Sequence, residues 1–279
     1  MLNRWIGILT LALMLLANAA LIFRDFVPAW LAGDPPENDY YLLSRGEKRC
    51  VQLGIYDAGD RRVGQSWTVS HILGNILTVE SWHLLEPMSL PNGVRTPMIR
   101  VQIQLRYQER AVVDDLKLIV HGLPVPVTLS GEFVPPGDFA IQWSVGDHRG
   151  SVLLNAQATR ALGDVIRPFD HLPGLYVGRT WRLKLFDPLA QLVPGWAGRD
   201  LTEDAMLVRV TAQESLDHRG ETLDVFRIES QRATAWATTD GRIVRQEVDV
   251  PLIGKLTLRD EPFDEAGLRT VRGLDLSED

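Results

Sequence analysis

The sequence predicts a mainly β protein, with an antiparallel curved sheet behind one N-terminal transmembrane helix. Short runs rich in β-branched and aromatic residues recur between residues 77 and 250, separated by Gly, Pro or Asp. This pattern is typical of a sandwich or barrel-like sheet. Helical periodicity is weak in this region, and we expect only one short helix, between residues 155 and 169. A long apolar segment opens the chain and predicts the transmembrane helix.

The opening apolar segment covers residues 4–23, and only Thr10 and Asn18 are clearly polar within it. A membrane-spanning helix needs about 20 such residues, so we expect residues 1–24 to form a transmembrane signal anchor. A cleaved signal peptide is the alternative, since residues 17–19 read Ala-Asn-Ala, a small-x-small cleavage site. The apolar segment is longer than a signal peptide requires and continues past that site, which favours the uncleaved anchor.

The charges around this segment predict its orientation. The amino terminus and Arg4 are positive on one side, whereas Arg24 on the other side is followed at once by Asp25. Because positive residues favour the cytoplasmic side, we expect a single-pass protein of the inner (cytoplasmic) membrane. Its body would lie on the periplasmic or extracytoplasmic side, and the lipid bilayer would be the partner of the N-terminal helix.

The segments at the two ends of the β region differ from it in composition. Residues 25–39 are expected to form a juxtamembrane stalk, in which Phe26 and Trp30 suit the membrane interface and two prolines limit flexibility. Residues 259–279 are acidic and contain proline and glycine. We therefore expect this last segment to be an acidic tail that is solvated or loosely docked.

A short internal echo divides the β region. The sequence "VGQSW" at residues 63–67 matches "VGRTW" at residues 177–181, and each follows a Gly-apolar-Tyr triplet. Each copy opens a β-rich half of the chain, which predicts a first β unit over residues 40–165 and a second over residues 166–258. The two units are either related domains or the two halves of one large curved sheet.

The clearest hairpin pattern in the sequence covers residues 235–248. Its Asp240-Gly241 pair suits the centre of a type I′ turn, where both residues need a positive φ. The cross-strand pairs are then Thr238–Ile243, Ala237–Val244 and Trp236–Arg245. We expect an inward face that carries Ala235, Ala237, Val244 and Val248. On the other face the Arg245 guanidinium is expected to lie over the Trp236 indole.

Composition excludes several classes of function. The net charge of −7 argues against nucleic acid as a partner, because such binding needs a basic face. The single cysteine excludes an internal disulfide framework and a multi-cysteine metal site. No motif in the chain calls for a cofactor, and we expect none.

The second half of the chain resembles a known class of β-rich exported regions. The resemblance rests on "GLYVGRTWRLKLFDPLAQL", "TLDVFRIES" and "TAWATTDGRIVRQEVDVPLIGKLTL", which together cover residues 174–258. Such regions accompany transglutaminase-like domains in bacteria and are similar to periplasmic half-barrels of the lipoprotein-carrier (LolA/LolB-like) class. The resemblance implies a curved antiparallel sheet with an apolar concave face that accepts a lipid-like ligand.

Residues with catalytic potential occur, but not in catalytic constellations. Cys50 has no active-site-like surroundings, and the chain contains no Gly-x-Ser-x-Gly nucleophile elbow. Three Asp-His pairs, Asp147-His148, Asp170-His171 and Asp217-His218, precede glycine-containing sequences that are typical of turns. These pairs leave a metal-dependent hydrolase as the alternative function.

We therefore predict a non-enzymatic, membrane-anchored periplasmic module. It would bind a hydrophobic or lipid-like ligand, or act as a scaffold for an envelope membrane complex through a protein partner. The expected ligand-binding residues are Trp181, Leu183, Leu185 and Trp236, with no catalytic or metal-binding residue. An enzyme would instead need at least two of the Asp-His pairs within about 10 Å of each other around a pocket.

Overall fold

The computed structural model describes a β-rich body and two short pieces of the chain before it. The described residues are 32, 33, 36, 47–89, 93, 95–108, 112–155, 159, 171–184, 205–231, 233–250 and 253–273. The expected anchor over residues 1–24, most of the expected stalk and Leu185 lie outside them. Of the expected helix between residues 155 and 169, only Asn155 and Thr159 are described. Within the described part of the chain, no helix has both the length and the apolar character needed to cross a membrane.

The described residues form fourteen strands and one helix. The strands are β1 (Lys48–Tyr56), β2 (Arg62–Leu73), β3 (Ile76–Leu85), β4 (Ile99–Gln108), β5 (Val112–His121), β6 (Val127–Val134), β7 (Asp138–Val145), β8 (His148–Leu154), β9 (Thr180–Lys184), β10 (Ala205–His218), β11 (Glu221–Glu229), β12 (Ala233–Thr238), β13 (Ile243–Val250) and β14 (Gly254–Glu261), and the helix is α1 (Glu265–Gly273). The prediction of a mainly β, antiparallel fold is confirmed.

All fourteen strands belong to one antiparallel sheet. Each strand pairs with its neighbour in the chain, so that β1–β8 and β9–β14 form two meanders. The meanders are joined where β1 pairs with β14, from Gln52–Glu261 to Tyr56–Thr257. Strands β8 and β9 are the two edges of the described sheet.

Cross-strand register assigns the side chains to two faces. We call one the core face; it carries most of the buried apolar residues, among them Val79, Leu105, Ile141, Trp181 and Ile228. We call the other the helix face; it carries Trp67, Trp82 and Trp236. Apolar clusters lie on both faces, which is why strict alternation of apolar and polar residues is limited to parts of the sheet.

Helix α1 packs on the helix face, where Leu268 and Val271 cluster with Trp67 and Trp82. The two aliphatic residues are three positions apart and so share one side of the helix. Asp264 precedes the helix and accepts a hydrogen bond from the Ala266 amide at 3.0 Å, as an N-cap does. At the other end of α1, the buried Arg100 donates from Nη1 to the Val271 carbonyl at 3.1 Å.

The expectation of a solvated or loosely docked tail from residue 259 is therefore wrong for residues 259–273. Residues 259–261 complete β14, and α1 follows after three residues. An ion pair of 2.8 Å between Arg272 and Glu80 adds to the apolar contact. The acidic composition of this segment does not predict a helix that buries only two residues. The helix depends on its contacts with Trp67 and Trp82, which are distant in sequence.

The hairpin of residues 235–248 has the expected Trp236–Arg245 pair but a different turn. Gly241 alone has a positive φ, of 97°, and its amide donates to the Thr238 carbonyl at 2.8 Å. The turn is thus a type I turn followed by a left-handed glycine, which gives a three-residue loop with a bulge.

A second bulge, between Ile243 and Arg245, changes the face of one residue. Ala237 pairs with Ile243 and not with Val244, because Val244 is the extra residue of this second bulge. Ile243 therefore packs on the core face, while Val244 packs with Trp236 and Val225 on the helix face. The expected Thr238–Ile243 and Ala237–Val244 pairs, and the inward placement of Val244 beside Ala237, are wrong.

Candidate functional site

A basin of about 790 Å³ opens where the tip of the β10–β11 hairpin meets β1, β13 and β14. Its wall combines four arginines with three carboxylates, one histidine, one tyrosine and the apolar Leu216 and Pro262. The charged and aromatic wall residues are Tyr56, Arg62, Asp217, His218, Arg219, Arg245, Arg259, Asp260 and Glu261. Most of them lie on the helix face, so the basin and α1 share that side of the sheet.

Glu261 accepts hydrogen bonds from three side chains around the basin. It accepts hydrogen bonds from the Tyr56 hydroxyl at 2.7 Å, from Gln52 Nε2 at 3.2 Å and from Arg62 Nη2 at 2.5 Å. Burial acts to raise the pKa of Glu261, but the bonds from Arg62 and Tyr56 outweigh it and hold the pKa below its ordinary value. Burial and the bond to Glu261 raise the pKa of Tyr56. Glu261 therefore stays ionised and fixes the β1–β14 side of the wall.

Asp260 joins three elements of the fold. Its Oδ2 atom lies 3.2 Å from Arg242 Nη1, 3.5 Å from Arg219 Nη2 and 3.8 Å from His218 Nε2. Arg242 belongs to the β12–β13 turn, whereas Arg219 and His218 belong to the β10–β11 tip. Burial and the neighbouring Arg219 lower the pKa of His218, against the opposing charge of Asp260. At neutral pH the tip is thus held to Asp260 of β14 mainly by Arg219, while Arg242 ties the β12–β13 turn to the same carboxylate.

Arg245 and Arg259 are direct cross-strand neighbours on β13 and β14. The Arg245 guanidinium lies 5.0 Å from the centre of the Trp236 ring and pairs with Glu247 at 2.5 Å. This confirms the expected contact between Arg245 and Trp236. The Arg259 guanidinium lies 4.5 Å from the centre of the Tyr56 ring and pairs with Asp60.

Two buried side-chain nitrogens of the basin-wall residues have no hydrogen-bond partner among the described residues. They are Arg245 Nε and His218 Nε2, and the latter is 3.8 Å from the nearest carboxylate oxygen, beyond hydrogen-bond distance. A buried donor without an acceptor costs about 1–3 kcal/mol. Both nitrogens have almost no solvent-exposed surface, so a ligand in the basin would reach them only if their side chains moved.

The four residues expected to bind a ligand are not brought together. Trp181 is fully buried on the core face and packs with Leu172, Val208 and Val210. Trp236 lies on the helix face, where its Nε1 donates to Glu214 at 2.6 Å. A ligand on one face would not contact both tryptophans.

The other two of these four residues fall at the limit of the described chain. The backbone of Leu183 belongs to β9, but its side chain lies outside the described residues, as does Leu185. Neither Trp181 nor Trp236 is among the described residues of the basin wall. A ligand-binding role for them stays a prediction.

Two of the Asp-His pairs lie near opposite edges of the described sheet. Asp147-His148 lies at the β7–β8 turn near one edge of the sheet, whereas Asp217-His218 lies at the end of β10 near the other. His171 forms a β-bridge with Arg242, and its neighbour Asp170 lies outside the described residues. No three His, Cys, Asp or Glu residues of the described part form a group that could hold a metal ion.

The basin residues that the sequence did not indicate are mostly charged. Arg62, Arg219 and Arg259 carry no motif, and Asp260 and Glu261 were assigned to the tail. One signal was present: residues 259–261 read Arg-Asp-Glu directly after the alternating segment of β14. Three consecutive charges at the end of a strand favour a polar cluster there, but not its partners from β1 and β10.

No family model, curated protein or solved structure matches this chain. The resemblance to transglutaminase-associated regions and to LolA/LolB-like half-barrels therefore stays a prediction.

Proposed function

We propose that this protein is a membrane-anchored, non-enzymatic binding module of the cell envelope. Its basin would bind an amphipathic, lipid-like ligand through the anionic group of that ligand. The observation that carries the proposal is the Arg245–Arg259 pair, which places two arginines opposite each other in cross-strand register on the basin wall.

Like charges directly opposite each other on one face of a sheet are destabilising. The carboxylates that offset this pair, Glu247 and Asp60, are not part of the basin wall, while Glu261 and Asp260 within it are occupied by other donors. A phosphate or carboxylate between the two arginines would accept charge-assisted hydrogen bonds from both. Such a ligand would relieve the repulsion and stabilise the folded protein.

The remainder of the basin suits the apolar part of such a ligand. Leu216, Pro262 and the Tyr56 ring supply apolar surface beside the arginines. The volume of about 790 Å³ falls within the range of about 300–1,000 Å³ that is usual for small-molecule sites. Each methylene group buried there would contribute about 0.8 kcal/mol.

The membrane anchor is the second part of the proposal. It rests on the apolar segment of residues 4–23 and on the charges that flank it. The protein would sit in the inner membrane, with the sheet on the periplasmic side. The basin would then lie near a supply of lipid-like ligands, since the bilayer itself is a source of amphiphiles.

A scaffold for an envelope complex is the second candidate function. The described sheet has two edge strands, and Leu153 on the β8 edge leaves 62% of its surface exposed. An edge strand pairs readily with an extended segment of another protein. A partner that added a strand to β8 would leave the basin unchanged, which separates the two candidates experimentally.

Calorimetric titration of octyl phosphate into the fragment that begins at Ala32 tests the basin. We expect saturable binding that octyl glucoside and inorganic phosphate do not reproduce, because the basin recognises charge and chain together. Arg245→Gln and Arg259→Gln should each weaken binding about tenfold or more, since a hydrogen bond to a charged group is worth about 1.5–3 kcal/mol.

Arg227→Gln is the matched control for these variants. Arg227 also lies on the helix face, next to Trp236 in register, but it pairs with Glu229 at 2.7 Å and is not part of the basin wall. Its replacement should leave the affinity unchanged. Absence of saturable binding, or equal loss in all three variants, would contradict the proposal.

A further inference from the structure

The turn before β9 presents two apolar side chains to solvent. Tyr176 is 62% exposed and Val177 is 53% exposed, whereas the preceding Leu175 is buried in the core. The Arg179 amide donates to the Tyr176 carbonyl at 3.0 Å, and Gly178 has a φ of 93°. This combination is a type II turn, with Val177 and Gly178 at its two central positions.

The exposed turn is held firmly by its neighbours. Arg179 Nη1 donates to the carbonyl of Gly174 at 2.6 Å and to that of Pro173 at 3.1 Å. The Gly178 amide donates to the Val210 carbonyl of β10 at 2.9 Å. Tyr176 and Val177 are therefore displayed on a fixed support, as a surface that meets a partner would be.

The N-terminal part of the chain is bound next to this turn. The Gly33 amide donates to the Thr180 carbonyl at 3.0 Å, and Gly33 forms a parallel β-bridge with Trp181. Thr180 follows Val177 by three residues. The chain that emerges from the expected anchor is thus tied to the edge of the sheet beside Tyr176 and Val177.

The length of the connecting chain limits how far this turn is from the bilayer. Trp30, which suits the membrane interface, precedes Gly33 by three residues, and these span at most about 11 Å. The same limit of about 11 Å applies from Thr180 to Val177. Ten residues separate Gly33 from Phe23 at the end of the apolar segment, which spans at most about 36 Å. The turn therefore lies within reach of the lipid surface.

Two exposed arginines lie close to the turn. Arg209 of β10 pairs in register with Thr180 on one side and with Glu229 on the other, and Arg182 lies on the same face two residues further along β9. A basic residue close to an anionic membrane contributes about 1 kcal/mol to binding. Exposed aromatic and aliphatic residues with arginines beside them are the composition of a membrane-interface contact.

We infer that the Tyr176-Val177 turn docks on the anionic surface of the bilayer that holds the N-terminal anchor. The inference rests on the anchor of the proposed function. Docking would fix the orientation of the sheet relative to the membrane, because the turn and Gly33 supply two neighbouring points of attachment.

A single environment-sensitive label tests this docking in the full-length chain. Cys50→Ser removes the only native thiol, and Val177→Cys introduces a site for the fluorophore NBD. The protein is reconstituted into vesicles of phosphatidylcholine and phosphatidylglycerol, and flotation reports whether it is anchored. We expect NBD emission at residue 177 to move to shorter wavelength and to be quenched by nitroxides on the lipid chains.

Two further variants make the result specific. Leu153→Cys in the same background labels an equally exposed apolar position on the opposite edge strand, and its emission should not change. Gly33→Pro removes the amide that bonds to Thr180, where open space surrounds Gly33, and should reduce the shift at residue 177.

The outcomes separate the inference from the proposed function. A protein that floats with the vesicles but shows no shift at residue 177 would keep its anchor and overturn the docking. A protein that does not float would overturn the anchor itself. An equal shift at residues 177 and 153, or one that follows protein concentration without lipid, would point to self-association and also overturn the docking.

Discussion

Replacing Trp181 with alanine should lower the free energy of unfolding by about 3–5 kcal/mol, the usual cost of removing a fully buried aromatic side chain. Trp181 is completely inaccessible and packs with Leu175, Val208 and Val210 on the core face. Its Nε1 has no hydrogen-bond partner among the described residues. The loss would thus come from the cavity and from lost apolar contact, and urea unfolding of the fragment from Ala32 measures it.

The matched control for this prediction is Tyr176→Ala. Tyr176 is an aromatic residue five positions earlier, and 62% of its surface is exposed, so the change in unfolding free energy should stay within about 0.5 kcal/mol. A loss of less than about 1 kcal/mol for Trp181→Ala would contradict its place in the core. Such a result would favour the predicted ligand-binding role of Trp181.

Acid should destabilise the protein through His83 before the carboxylates begin to titrate. His83 lies on the core face of β3, between Ser66 of β2 and Val101 of β4. Burial lowers the pKa of His83 from 6.5 to about 4. Above pH 6.5 the imidazole is neutral in the folded and the unfolded chain, and it does not make stability depend on pH.

Between pH 6.5 and about 4 the unfolded chain takes up a proton at His83 and the folded chain does not, so stability falls as the pH falls. The full difference in pKa corresponds to about 3 kcal/mol. The side chain keeps some contact with solvent, so we expect a loss of about 2 kcal/mol or less on going from pH 7.5 to pH 5. Below about pH 4 both states are protonated and the contribution stops changing.

Urea unfolding at several pH values measures this effect in the wild type and in His83→Gln. Glutamine cannot take up the proton, so the decline between pH 7.5 and pH 5 should be smaller in the variant. His148→Gln, which alters an exposed imidazole at the β7–β8 turn, should decline as the wild type does. Identical slopes in wild type and His83→Gln would show that His83 is not the group responsible.

Local patterns in the sequence predicted the sheet, and they failed where one residue changes the register. The Trp236–Arg245 pair is correct because two irregularities offset each other: the three-residue loop shifts the register by one residue, and the bulge at Val244 restores it. The pairs between these two points are wrong, since glycine fits both a type I′ turn and a type I turn with a bulge. The hydrogen bond from the Thr238 hydroxyl to Asp240 belongs to the observed turn. The alternation of polar and apolar residues does not predict this bond.

The internal echo shows a second limit of local pattern. Residues 63–67 lie within β2 and place Trp67 on the helix face, whereas residues 177–181 form a turn and the start of β9 and place Trp181 on the core face. The same five-residue pattern thus serves two different packing environments. Sequence similarity over so short a stretch does not determine on which face of the sheet a side chain lies.

The basin and α1 could not be predicted because they depend on distant parts of the chain. Tyr56 and Glu261 are 205 residues apart in sequence and join in one hydrogen bond. Helix α1 has two buried residues, and these gain stability only against Trp67 and Trp82. Contacts of that range follow from strand order, above all from the pairing of β1 with β14.

Hydrogen exchange of the fragment from Ala32, with and without octyl phosphate, tests most directly the claim that the basin is the ligand site. We expect slower exchange of backbone amides in residues 216–219 and 259–261, which line the basin. Residues 172–184, which carry Trp181, should exchange at the same rate in both samples. Protection confined to residues 172–184, or no protection at saturating octyl phosphate, would contradict the assignment of the site.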